Sequence, residues 1–155
     1  MKNTTEIYAY KARKHAITGI YNAAAGHPGG SLSIADILAV LYFEKMNIDP
    51  KNPKMADRDR FVLSKGHCAP ALYGILAERG FFPVEQCATL RKIDSIMQGH
   101  PDMKHIPGID MSTGSLGQGI SAACGMALSA KLDKKDFKVY TILGDGEIEG
   151  NANRQ

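Results

Sequence analysis

Two short apolar runs constrain this chain more than any other feature: Arg60-Phe61-Val62-Leu63-Ser64 and Lys138-Val139-Tyr140-Thr141-Ile142-Leu143. Both are short and rich in β-branched, aromatic or aliphatic residues, so each reads as a buried strand. Helical periodicities fill the chain before and between them. Helices alternating with buried strands imply an α/β fold, a parallel sheet covered by helices on both faces to make three layers. Ligands of such sheets sit at the carboxyl ends of the strands. The second run stops abruptly on Gly144-Asp145-Gly146, which puts a carboxylate at that edge between two glycines.

The helices follow from spacing. Ile7, Tyr10, Lys14, Ile17 and Tyr21 recur every three or four residues and predict a first helix from about Thr5 to Ala25, with those residues as its apolar face. Gly26-His27-Pro28-Gly29-Gly30 then reads as a hinge. Ser33, with Asp36 three residues on, predicts the N-cap of a second helix that buries Ile34, Ile37, Leu38, Leu41 and Tyr42. Ala69, Leu72, Tyr73 and Leu76 predict a helix closing on Gly80, Pro83 opens a short one to about Leu90, and Ile120 to Leu132 forms one rich in small residues. The polar stretch Asn47 to Asp59 is a loop. Gly99 to Gly119 is too long and too rich in Gly, Pro, His and Ser for a bare connector, and long ordered loops of this kind usually belong to a site.

At 155 residues and 44% apolar, the chain suits one domain or part of one. Its 19 Lys and Arg against 16 Asp and Glu are scattered, so no nucleic-acid footprint stands out. Cys68, Cys87 and Cys124 are odd in number and lack close pairing, which signals neither a disulfide framework nor a zinc ribbon. Neither a signal peptide nor a membrane span is recognisable, and a cytoplasmic location is expected.

Three groups of residues could carry chemistry. Asp145 reads either as a magnesium ligand, since hard cations want oxygen and bridge protein carboxylates to phosphates, or as the cap of a tight turn. Ser112-Thr113-Gly114-Ser115-Leu116-Gly117-Gln118-Gly119 runs into a helix, so its backbone N–H groups either hold a diphosphate oxygen or simply start the helix. Its spacing is not the dinucleotide fingerprint. His27, His67 and His100 each stand beside glycine in loops or helix starts, where neutral imidazoles both donate hydrogen bonds and move protons. They lack metal-ligand spacing. Nothing accompanies His15 or His105, and Cys68 reads as a small buried thiol.

Taken in order, Gly26-His27-Pro28-Gly29, Leu63-Ser64-Lys65-Gly66-His67 with Ala71-Leu72-Tyr73, Gly99-His100-Pro101, Thr113 to Gly119 and Gly144-Asp145-Gly146-Glu147 resemble the N-terminal half of transketolases over about residues 6 to 150. They are similar in particular to the separate N-terminal subunit found where the enzyme is split over two chains. Deoxyxylulose-phosphate synthases share the fold but look less similar around the three histidines. The resemblance implies a thiamine diphosphate-binding fold, with residues 1–155 its N-terminal part and the C-terminal portion incomplete, as in a truncated product.

The resemblance also implies roles. Asp145 would bind Mg2+, or Ca2+ or Mn2+ in its place, on the cofactor diphosphate. Gly146 and His67 would contact that diphosphate, and Gly114 and Leu116 would line the cofactor through their backbone. His27 and His100 would bind sugar hydroxyls of the substrate phosphates and move protons as catalytic residues. Glu149 would stand for the glutamate that joins two active sites across a dimer, although Gly144 to Gly150 is one residue shorter than the family pattern. The family's second metal ligand, an asparagine, has no clear counterpart, since Asn151 and Asn153 lie close to Asp145. The implied reaction moves a two-carbon ketol unit from a ketose phosphate to an aldose phosphate. The implied partner carries the pyrimidine-binding domain, in a homodimer or heterotetramer. The rival expectation is a non-catalytic remnant or association module.

Overall fold

The structure, a computed structural model, describes residues 4–149. Its elements are α1 (Thr4–Ala23), α2 (Pro28–Ser33), α3 (Ala35–Val40), β1 (Arg60–Leu63), α4 (Ala69–Arg79), α5 (Gly119–Leu132), β2 (Val139–Ile142) and α6 (Asp145–Glu149). A π turn (Leu41–Lys45) extends α3, and 3-10 turns cover Gly66–Cys68 and Val84–Thr89. α4 ends where expected, on Gly80 in the left-handed region at φ 97°, where a residue without Cβ escapes the steric clash.

β1 and β2 pair in parallel, Arg60 opposite Val139 and Leu63 opposite Ile142. Side chains alternate across the pleat. Phe61 and Leu63 therefore share one face with Tyr140 and Ile142, and there they join a core that contains Ala12, Leu38, Leu72, Tyr73 and Leu76 from α1, α3 and α4. Val62, Val139 and Thr141 turn the other way. α5 packs on both strands yet contributes nothing to that core, so it covers the opposite face. Helices flank both sides of the small sheet, in an incomplete α/β arrangement. β1 is buried from Phe61 to Leu63, whereas every residue of β2 is only half-buried.

Two expectations about the N-terminal helices are corrected. α1 does not bury Ile7, Tyr10, Ile17 and Tyr21; these are exposed, Tyr21 to 83%. It buries Thr5, Ala9, Ala12, Ala16 and Gly19 instead. Small residues win because they let helix axes approach: a Cβ on Gly74 of α4 would already lie 3.0 Å from the Ala12 backbone. Nor is 26–30 a hinge before a helix capped by Ser33. α2 starts at Pro28, which fits the first helical position, and Ser33 is its last residue, bonding back through Oγ to Gly30 O at 2.9 Å. Gly30 is required inside this helix because a Cβ there would meet Cys68 Sγ at 2.5 Å. Close packing, not flexibility, explains that glycine.

Buried carboxylates fix the strand ends. Asp110 accepts the Phe61 N–H at 2.7 Å and pairs with Arg58; Asp59 accepts the N–H groups of Asn47 and Lys138 at 2.9 and 2.7 Å. Among the described residues no helix is long and apolar enough to cross a membrane.

Candidate functional site

A cavity of roughly 410 Å³ lies beyond the carboxyl ends of both strands, lined by Gly29, Gly30, Lys65, His67, Leu116 and the turn Gly144 to Glu147. Three chain segments meet there because the strands run in parallel and end side by side. The chain leaves β1 at Ser64 and turns at once into Gly66–Cys68, which carries His67. The chain leaves β2 at Gly144 and turns into α6, which carries Asp145. The loop before α5 is laid against the end of β1: Thr113 Oγ1 donates to Leu63 O at 2.6 Å, and Gly66 and Gly119 stand where a Cβ would meet Thr113 and Ser64 at 2.8 and 2.6 Å.

One carboxylate binds these segments together. Glu147, only 4% exposed, accepts hydrogen bonds from Ser64 Oγ, from Gly117 N at 2.9 Å and from Gly144 N at 2.9 Å. Burial pushes its carboxyl up most strongly, but those three donors and nearby His67 outweigh it and hold it below the ordinary glutamate value. Sequence reasoning assigned Glu147 no role. Its place directly after the Gly-Asp-Gly turn was a signal, yet two of its three partners lie 30 and 83 residues away in the chain. The finding also modifies the expectation for the loop: the Gly117 N–H serves the chain's own carboxylate and is not left for a bound anion.

The predicted site residues divide into those the cavity gathers and those beside it. His67, Leu116, Asp145 and Gly146 line it. His27 stands at the start of α2 with its ring 5.0 Å from that of His67, edge to face. His100 rests on Gly114, whose Cβ position is 3.1 Å from the His100 ring. Gly114 lines an adjoining depression of roughly 210 Å³ with Thr113 and Gln118. Glu149, at the end of α6, is exposed and does not line the cavity. Asn151 and Asn153 lie outside the described residues.

His67 and His100 are poised as neutral bases. Burial, then the like charges of His27, Lys65 and His100, hold His67 below the usual histidine value despite the opposing pull of Glu147. Burial, then Arg91 and His27, does the same for His100. Neutral imidazoles near pH 7 can donate to an anion from one nitrogen and accept a proton at the other. His15 pairs with Glu78 and His105 with Asp102, both structural contacts. Cys68 is fully buried and burial pushes its thiol up, so it is inert.

A bulky anion with a divalent metal fits these residues. Nothing beyond the local helix backbone stands within 4 Å of the Cβ position of Gly29 or of Gly146, so the cavity gives open access to backbone at both. Asp145 is exposed, with no hydrogen-bond partner among the described residues, and supplies the oxygen a hard cation wants. Among the described residues no group of three or more His, Cys, Asp or Glu is placed to hold a metal ion by itself.

Comparison with known proteins agrees with this geometry. A family model, described as the thiamine diphosphate binding domain of transketolase, matches residues 5–154. A 6-deoxy-6-sulfo-D-fructose transketolase subunit of Clostridium sp. is 53% identical over 137 residues, which are 88% of this chain and 50% of that protein. A subunit of the apulose-4-phosphate transketolase of Phocaeicola vulgatus is 48% identical over 144 residues, 93% of this chain and 51% of that protein. The chain thus spans about half the length of these curated relatives. Among solved structures, transketolase from Leishmania mexicana superposes with a TM-score of 0.89 at 32% identity, covering 99% of this chain and 25% of that one.

Proposed function

This chain belongs to the transketolase family, in its thiamine diphosphate binding domain, and from that premise we propose that it supplies the diphosphate half of a ketol-transfer site. The observation that carries the proposal is the cavity at the ends of both strands, where Asp145, His67 and the open glycine backbones converge on space for an anion and its metal. In this reading residues 1–155 are the N-terminal part of the domain. Asp145 holds Mg2+, or Ca2+ or Mn2+ in its place, against the diphosphate. The N–H of Gly146 and the imidazole of His67 bind the diphosphate oxygens, while Gly114 and Leu116 present backbone to the rest of the cofactor.

Thiamine diphosphate, when bound, supplies the nucleophilic carbon that carries a two-carbon unit between carbonyl compounds. The chain's own residues bind, orient and move protons. His27, against His67, and His100, against Gly114, would hold the hydroxyls of a ketose or aldose phosphate, taking and returning protons there. The low position of His100 keeps it able to accept a proton near neutral pH. Glu149, exposed at the end of α6, is free to reach a second chain. Relatives named as subunits support a partner bearing the pyrimidine-binding domain, in a homodimer or heterotetramer. Three free cysteines suit a cytoplasmic protein.

A second reading, an association module without transferase activity, is favoured by the half-buried β2. Calorimetric titration with thiamine diphosphate and Mg2+, with and without a chain carrying the pyrimidine-binding domain, separates the two. The proposed function predicts metal-dependent binding that Asp145→Ala abolishes. Absence of binding under both conditions leaves the association module.

A further inference from the structure

We propose that Lys65 is the cationic anchor for the anionic end of the ligand in this cavity, a role resting on the diphosphate reading of the site. Lys65 follows β1 directly, and the turn there (φ −76°, ψ 71°) sends its side chain across to the end of β2. Its Cδ lies 3.6 Å from the Cβ position of Gly144, so the aliphatic stem is laid along the start of the Gly144-Asp145-Gly146 turn. The residue is 9% exposed and lines the cavity with His67 and Asp145.

What sets Lys65 apart is residue burial without a counter-ion: lysines such as Lys14, Lys51 and Lys92 also lack one, but they are exposed. Lys11 pairs with Glu78, Arg13 with Asp36, Arg58 with Asp110 and Lys135 with Asp57, although each of these cations is more exposed than Lys65. The Lys65 ammonium has no hydrogen-bond acceptor and no ion pair among the described residues. The buried carboxylate of the same cavity does not serve it, because Glu147 is already held by Ser64, Gly117 and Gly144. With its stem packed away and its ammonium open to the cavity, Lys65 presents an unneutralised cation where an anionic ligand would sit. Here the ligand must be anionic. It must also carry more charge than one lysine neutralises, since Asp145 needs a metal between itself and that anion. A diphosphate with a divalent cation meets both conditions: the metal answers to Asp145 and the remaining phosphate charge to Lys65.

Inorganic pyrophosphate with Mg2+ is the simplest probe. Lys65→Met keeps the stem against Gly144 and removes only the charge, so it leaves the melting temperature within a few degrees of the parent. Its affinity for Mg2+ and pyrophosphate falls about ten- to hundredfold, the loss of one charge-assisted hydrogen bond, and Lys65→Arg recovers most of it. In the unmodified chain, mass spectrometry reads acetylation of Lys65 slowing when Mg2+ and pyrophosphate are added. Equal affinity in Lys65→Met, or acetylation that ignores pyrophosphate while the chain binds it, overturns the anchor and leaves the diphosphate reading standing. A parent chain that binds neither pyrophosphate nor thiamine diphosphate overturns both.

Discussion

Glu147 puts a charge where little water reaches, and the ends of β1, β2 and the loop before α5 are all fastened to it. Its carboxyl is lower in the folded chain than the 4.5 of a free glutamate. The unfolded chain therefore binds the proton first on acidification, and the stability this group contributes is complete above about 4.5 and lost as pH falls through the lower folded value. Glu147→Gln keeps the shape but turns an amide NH2 toward donors that need an acceptor. We expect it to cost about 1–3 kcal/mol at pH 7, the range for leaving buried donors unsatisfied, and to flatten this part of the acid dependence. Urea unfolding at pH 7 and at pH 4 measures both effects. A variant as stable as the parent at pH 7 would remove Glu147 from the centre of the site.

At the scale of elements, α1 teaches how a sequence pattern misleads. Its large residues repeat with helical spacing and still point outward, because the stripe that meets α4 is made of alanine and glycine. A Cβ on Gly19 would stand 2.6 Å from Cys87 O, a backbone atom with nowhere to move. Gly19→Ala should destabilise by about 1–3 kcal/mol through overpacking, against its small gain in helix propensity. Ile17→Lys on the opposite, 42% exposed position should stay within about 0.5 kcal/mol of the parent. Thermal or chemical denaturation of the two variants checks the assignment of faces, and the reverse order of damage would restore the face read from sequence.

For the whole molecule, α5 leaves much of its apolar surface bare. Ala123 and Ala130 face the sheet, while Cys124, Leu128 and Leu132 are exposed, the last two to 61% and 83%. Contiguous apolar surface of this kind marks an association face or an aggregation hazard. In the folded chain alone we expect an alkylating reagent to modify Cys124 rapidly and to spare Cys68 and Cys87, which are buried, the Cys87 thiol being pushed up to about 12 by burial. Leu128→Lys with Leu132→Lys should reduce binding of a hydrophobic dye to the isolated chain. Addition of a partner that covers α5 should protect Cys124, and a thiol equally reactive in the assembled state would place the interface elsewhere.

The sequence by itself determined the strands, the Gly80 stop, the long loop from 99 to 119 and the motifs that bear His27, His67, His100 and Asp145, because these depend on local rules: β-branched runs, glycine conformations and turn chemistry. It could not determine which stripe of α1 is buried, since that depends on how closely a second helix approaches, nor that Gly30 belongs inside a helix against Cys68. The role of Glu147 and the solitude of Lys65 were likewise decided only by tertiary structure. A buried charge is defined by the partners it has or lacks, and parallel pairing of β1 with β2 brings those partners from segments 30 to 83 residues apart.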